Sequence, residues 1–151
     1  MSNELYDLTT FENRNWNDWT ETVPGTTKFV QQSPNDPLEF YLSSDFETGS
    51  AIRIQKQFGF IKGQEYLLNF QFRSKTPARL IVRLAEIEQS SSVFQPNNHW
   101  IGVTIPLPTA KESGNRLNLR ITFRFETQTD QADKFDLDNL LVRHVDHSAK
   151  Q

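Results

Sequence analysis

In residues 65–74 the apolar side chains fall on every second position. Tyr66, Leu68, Phe70 and Phe72 point one way, and Leu67, Asn69, Gln71 and Arg73 point the other. The same alternation sets Leu80, Val82 and Leu84 against Arg79, Ile81 and Arg83, and Ile101, Val103 and Ile105 against Gly102 and Thr104. It is longest at Leu117, Leu119, Ile121, Phe123 and Phe125, which interleave with Asn118, Arg120, Thr122 and Arg124. Period two with one apolar face describes an antiparallel strand that is buried on one side and wet on the other. The longest helix candidate, residues 80–89, alternates too, so no helix is expected. Such a chain can bury its apolar faces only by closing two sheets on each other, which predicts an all-β, two-sheet antiparallel β-sandwich.

Turn residues divide the pattern into strands at 65–74, 78–88, 101–105, 116–126 and 134–144, with less regular ones near 5–9, 18–23, 27–31, 37–42 and 51–58. Lys75-Thr76-Pro77 separates two of these and predicts a hairpin between 65–74 and 78–88. Polar loops are expected at 89–98, 108–115 and 127–133. Short strands with turns every ten residues or so suit a jelly roll. The chain has 151 residues, enough for one domain with a real core. We read residues 1–143 as that domain and 144–151 as a polar tail.

Composition narrows the function. There is no cysteine, so disulfides, thiolate metal sites and cysteine nucleophiles are excluded. No apolar run reaches the length of a membrane span. The start, MSNELYDLTT, lacks the basic and apolar regions of a secretory signal. It suggests a cytoplasmic protein, export without such a signal, or a module of a longer extracellular chain. The net charge of −3 argues against a nucleic-acid partner, which asks for a basic surface. Enzymatic chemistry finds little support. His99, His144 and His147 show no metal-ligand spacing, and Ser90-Ser91-Ser92 lacks a nucleophile-elbow motif. Glu86 and Glu88 share a single strand face, whereas glycosidase carboxylates flank a cleft from different elements. A non-enzyme is expected.

Four segments in order carry a resemblance. They are Leu8-Thr9-Thr10-Phe11-Glu12 followed by Trp19; Ile52-Arg53-Ile54-Gln55, then Gly63-Gln64-Glu65-Tyr66-Leu67-Leu68-Asn69-Phe70; Trp100 opening a strand; and Phe135-Asp136-Leu137-Asp138-Asn139-Leu140-Leu141-Val142. Together, over roughly residues 5 to 143, they resemble the jelly-roll carbohydrate-binding modules with a galactose-binding-like fold. Thr9-Thr10 replaces the usual Asn-Gly, and Asp138-Asn139 replaces the usual Asp-Asp. The resemblance implies a structural calcium between the first and last strands, with Glu12 and Asp138 as side-chain ligands by motif position. Asn139 in place of a carboxylate weakens that site. The resemblance also places Trp19 in the core, and it explains Asp136 and Asp138 without catalysis.

It further implies that strands 64–75, 78–88 and 116–126 neighbour one another in a five-stranded sheet. The outward positions would then gather Asn69, Gln71, Arg73, Arg79, Ile81, Arg83, Arg116, Asn118, Arg120, Thr122 and Arg124 on one face, with Glu39 and Tyr41 from an earlier strand. Guanidinium groups bind carboxylates and sulfates in bidentate fashion, and amides suit sugar hydroxyls. The carbohydrate-binding set expected on this face is Tyr41, Asn69, Gln71, Arg73, Arg79, Arg83, Trp100, Arg120 and Arg124. The other reading of these positions is an ordinary solvated face, its charge cancelled by Glu39, Glu65, Glu86 and Glu126. Trp100 and Trp16 are candidate sugar platforms, or caps on the sandwich ends. The expected function is a non-catalytic, lectin-like module holding an oligo- or polysaccharide, including an anionic one. The alternative is a β-sandwich that docks a protein partner through an apolar patch around Ile81, Phe94 and Trp100.

Overall fold

The computed structural model describes residues 5–22, 27–33, 35–44, 52–74, 77–90, 99–125 and 135–145. These form strands β1 (Tyr6–Thr9), β2 (Thr20–Glu21), β3 (Lys28–Ser33), β4 (Asp36–Ser43), β5 (Ile52–Phe60), β6 (Tyr66–Arg73), β7 (Ala78–Leu84), β8 (Ile87–Ser90), β9 (Ile101–Pro106), β10 (Gly114–Phe125) and β11 (Asp136–His144). A short 3₁₀ turn, Glu12–Arg14, follows β1, and there is no α-helix among the described residues.

Every pairing is antiparallel, and the strands make two sheets. Sheet A runs β3-β4-β11-β6-β9, with β1 also on β11; sheet B runs β2-β5-β10-β7-β8. The alternation explains the layering. Leu68, Phe72, Leu137 and Leu140 from sheet A and Ile52, Ile54, Leu80, Leu84, Ile121 and Phe123 from sheet B are fully buried between the layers. Phe72 and Phe123 stack across the gap with ring centroids 4.9 Å apart, and Phe70 meets the same ring edge-on at 5.1 Å. Trp19 is buried as expected, its indole N–H donating to Thr9 Oγ1 at 3.1 Å. Trp16 packs edge-on against Phe29 and Phe11, at the margin of the core.

A polar pin joins the two layers at one edge. Lys56 of β5 has the inward register of Leu119. It escapes burial of its charge by reaching Asp7 of β1, Nζ to Oδ1 at 3.0 Å, and the carbonyl of Asn17. Asn17 in turn donates to Asp7 Oδ1 and Thr9 Oγ1.

Two expectations need correction. Residues 65–74 and 78–88 do not form a hairpin: β6 lies in sheet A and β7 in sheet B, so the chain crosses between layers at 74–77. Alternation reports which face of a strand is buried, not which strand lies beside it, and both arrangements bury the same side chains. Second, 78–88 is not one strand. It turns at Ala85-Glu86 into β8, with Ala85 at a left-handed φ of 52°. Glu86 therefore sits in a turn rather than on a face shared with Glu88. The last strand ends at His144, within the expected 134–144, and the His144 amide donates to Leu5 O at 2.8 Å. Residues 146–151 of the expected tail lie outside the described residues.

Candidate functional site

The strand order divides the expected carbohydrate face in two. Arg79, Arg83, Arg120 and Arg124 lie on the outer face of sheet B, and Tyr41, Asn69, Gln71, Arg73 and Trp100 belong to sheet A on the opposite side of the sandwich. The parity reading of the strands holds except at Tyr41, which has an outward register but is buried. The grouping fails because β6 pairs with β11 and β9, not with β7.

On sheet B, register sets like charges side by side. Arg124 stands directly opposite Arg79, and Arg120 opposite Arg83. Arg53 of β5 pairs with Thr122, which places it diagonal to both Arg120 and Arg124. Directly opposed like charges destabilise a sheet. Of the four acidic residues expected to cancel the patch, Glu39 lies on β4 and Glu65 beside β6, both in the other layer, Glu86 is in the turn, and Glu126 lies outside the described residues. The carboxylate that register does place here is Glu88, opposite Arg83. Arg83 donates through Nε to its own turn, at Ala85 O, 3.2 Å away. Among the described residues, Arg53, Arg83, Arg120 and Arg124 have no carboxylate within ion-pair distance.

Beside these arginines a pocket of about 400 Å³ opens between β2, β5 and β10, lined by Asp18, Thr20, Gln55, Lys56, Gln57 and Asn118. Asn118 Nδ2 donates to Gln55 Oε1 at 3.2 Å, and Gln55 lies directly opposite Arg120. Gln55 thus joins the arginines to the pocket, whose lining also carries the Asp18 carboxylate and the Lys56 ammonium. The expected site omitted Arg53, Gln55 and Gln57, although they alternate with the buried Ile52, Ile54 and Phe58 and could have been read from that pattern.

On sheet A, Arg73 organises an aromatic cluster. Its Nε donates to Asp136 Oδ2 at 2.8 Å and its Nη2 to the Tyr41 hydroxyl at 3.2 Å, while its guanidinium lies 4.7 Å from the Trp100 ring centroid. Tyr41 and Trp100 meet edge-to-face at 5.3 Å. Tyr41 is buried, where its outward position predicted exposure. The expected apolar patch does not form as one surface, since Ile81 is on sheet B and Trp100 beside sheet A; Phe94 lies outside the described residues.

Among the described residues, Asp138 is a buried carboxylate without a cationic partner. Its Oδ1 accepts the Asn139 N–H at 2.8 Å. Burial pushes its pKa up to about 6, with Glu12 and Glu39 adding to the rise and the Asn139 hydrogen bond opposing it. Two carboxylates in electrostatic reach of Asp138 fit the charge demand of a calcium ion. Among the described residues, however, no group of three acidic or histidine side chains is arranged to hold a metal.

No protein-family model and no curated protein sequence matches the chain. Solved structures do match. A family 61 carbohydrate-binding module in complex with β-1,4-galactotriose superposes with a TM-score of 0.58 at 12% identity, covering 90% of this chain and 94% of that one. The C-terminal family 6 module of a marine laminarinase from Zobellia galactanivorans gives 0.56 at 10% identity, covering 91% and 99%. An arabinose-bound α-L-arabinofuranosidase gives 0.62 at 13% identity, but there the match spans 89% of this chain and only 25% of the enzyme. Identities this low speak to architecture alone. The chain has the jelly-roll β-sandwich fold found in carbohydrate-binding modules.

Proposed function

We propose that this chain is a non-catalytic carbohydrate-binding module that holds an acidic oligo- or polysaccharide on the outer face of sheet B. The observation that carries the reading is the gathering of Arg53, Arg79, Arg83, Arg120 and Arg124 on one face beside an amide-lined pocket. Guanidinium groups bind carboxylate or sulfate oxygens through paired hydrogen bonds, and an anion there relieves the repulsion between opposed arginines. Gln55, Gln57 and Asn118 supply donors and acceptors for sugar hydroxyls. Binding on a preformed sheet face costs little reorganisation. Structural neighbours that are themselves carbohydrate-binding modules support the class of ligand.

The test is a glycan array spanning neutral and acidic polysaccharides, followed by titration of the double variant Arg83→Ala/Arg120→Ala. The expected result is binding to uronate or sulfated chains that weakens with salt and is lost in the variant, with little change in melting temperature. No reducing ends should accumulate on prolonged incubation. Unchanged binding by the variant removes these arginines from the site. A calcium ion held by Glu12 and Asp138 forms part of the same reading, supported by the buried charge of Asp138. Its signature is a calcium-dependent rise in melting temperature that Asp138→Asn abolishes.

A second reading, docking of a protein partner, is favoured by Tyr6 and Leu8. They are 66% and 45% exposed and project from the same side of β1.

A further inference from the structure

We infer that the molecule carries a second saccharide site on the outer face of sheet A, built for an uncharged sugar and centred on a notch at Gly102. Strand β9 forms the edge of this sheet, and its outward positions are Gly102, Thr104 and Pro106, preceded by Trp100. Gly102 faces Gln71 of β6 across the ladder, and Thr104 faces Asn69. A Cβ built on Gly102 would meet nothing within 4 Å, and its φ is an ordinary one. The glycine is thus not demanded by the backbone or by a close neighbour. Its effect is open space over the strand at this position, between the outward positions of Trp100 and Thr104.

The side chains beside this position are polar and held in place. Strand β11 carries a bulge between Asp138 and Leu141, with Asn139 at φ 50°. Bulges re-aim side chains, and this one brings Asn139 Nδ2 onto Gln71 Oε1. That bond uses one atom of each amide. Among the described residues, Gln71 Nε2 and Asn139 Oδ1 keep no hydrogen-bond partner, which leaves a donor and an acceptor beside the notch. Asn69 Nδ2 donates to Thr104 Oγ1 at 2.6 Å, so the threonine hydroxyl is oriented as well. Trp100 is fixed by the Arg73 guanidinium and the Tyr41 ring, so little ordering is left for binding to impose.

Charge decides the class of ligand. Arg73 is committed to Asp136 and Tyr41. Arg143 is held on Asn69 Oδ1 at 3.3 Å, and Glu39 and Asp138 lie on neighbouring strands, so this face lacks the opposed arginines that would draw an acidic sugar to sheet B. An uncharged sugar offers adjacent hydroxyls to the amide pair and a C–H face to the indole.

The experiment titrates the full chain by calorimetry with neutral galacto-, xylo-, cello- and laminari-oligosaccharides, and with polygalacturonate fragments. At least one neutral series should bind, shift the Trp100 indole N–H resonance, and not be displaced by saturating polygalacturonate. Gly102→Leu fills the notch in a position with room for it. It should keep the parental melting temperature and the affinity for acidic fragments, and lose about tenfold or more in neutral affinity. No neutral binding, neutral affinity that survives Gly102→Leu, or displacement by the acidic chain overturns the inference. If neutral sugars bind and respond to Gly102→Leu while acidic ones do not bind at all, the sheet B reading falls and this one stands.

Discussion

Asp138 shows what a single residue carries here. Folding raises its carboxyl from 3.8 to about 6, chiefly because burial disfavours the charge. The folded chain therefore holds this proton more tightly than the unfolded chain does. Stability falls as pH climbs from about 4 to 6, and above that the full penalty of an ionised buried carboxylate remains. In chelator-containing buffer, Asp138→Asn should stabilise the protein at pH 7 by roughly 2–3 kcal/mol and give little at pH 4. Urea denaturation at the two pH values checks this; an equal gain at both, or a loss at pH 7, contradicts it. The motif position of Asp138 was legible in the sequence. Its burial and its nearness to Glu39 were not, because Glu39 and Asp138 are far apart along the chain and meet only when β4 pairs with β11.

At the scale of elements, strand identity was legible and strand partnership was not. Two-residue alternation located β6, β7, β9 and β10 because each must sort its own side chains between core and water. The turn at Ala85-Glu86 left no mark, since neither residue is a usual turn former. Ala85 accepts a left-handed φ of 52° that costs an alanine roughly 1 kcal/mol. Ala85→Gly should therefore stabilise the β7–β8 hairpin by about 1 kcal/mol, less the extra backbone freedom that glycine gains when unfolded. A lowered denaturation midpoint would show that the turn carries no such strain. The same hairpin sets Glu88 against Arg83, so its register also tunes the charge of the proposed acidic-glycan face.

At the scale of the whole molecule, Phe123 is where the two layers meet. It is fully buried and touches Phe70 and Phe72 of the opposite sheet. Phe123→Ala should cost about 3–5 kcal/mol, read from denaturant unfolding, because the cavity opens between two sheets that cannot both collapse into it. A cost under about 1 kcal/mol would mean the layers are not held by this contact. The two proposed sites would separate function by face: sheet B presents opposed arginines and amides, and sheet A presents amides beside the open position at Gly102.

The sequence by itself determined that the chain is all-β, which side of most strands is buried, and which arginines and amides face water. Those are local consequences of a two-residue period meeting an interface with water. Only the tertiary structure decided which outward faces lie together, because sheet order depends on where each connection crosses between layers. The crossing at 74–77 moved Asn69, Gln71 and Arg73 to the opposite side of the molecule from Arg83 and Arg120 without exchanging one buried side chain for an exposed one.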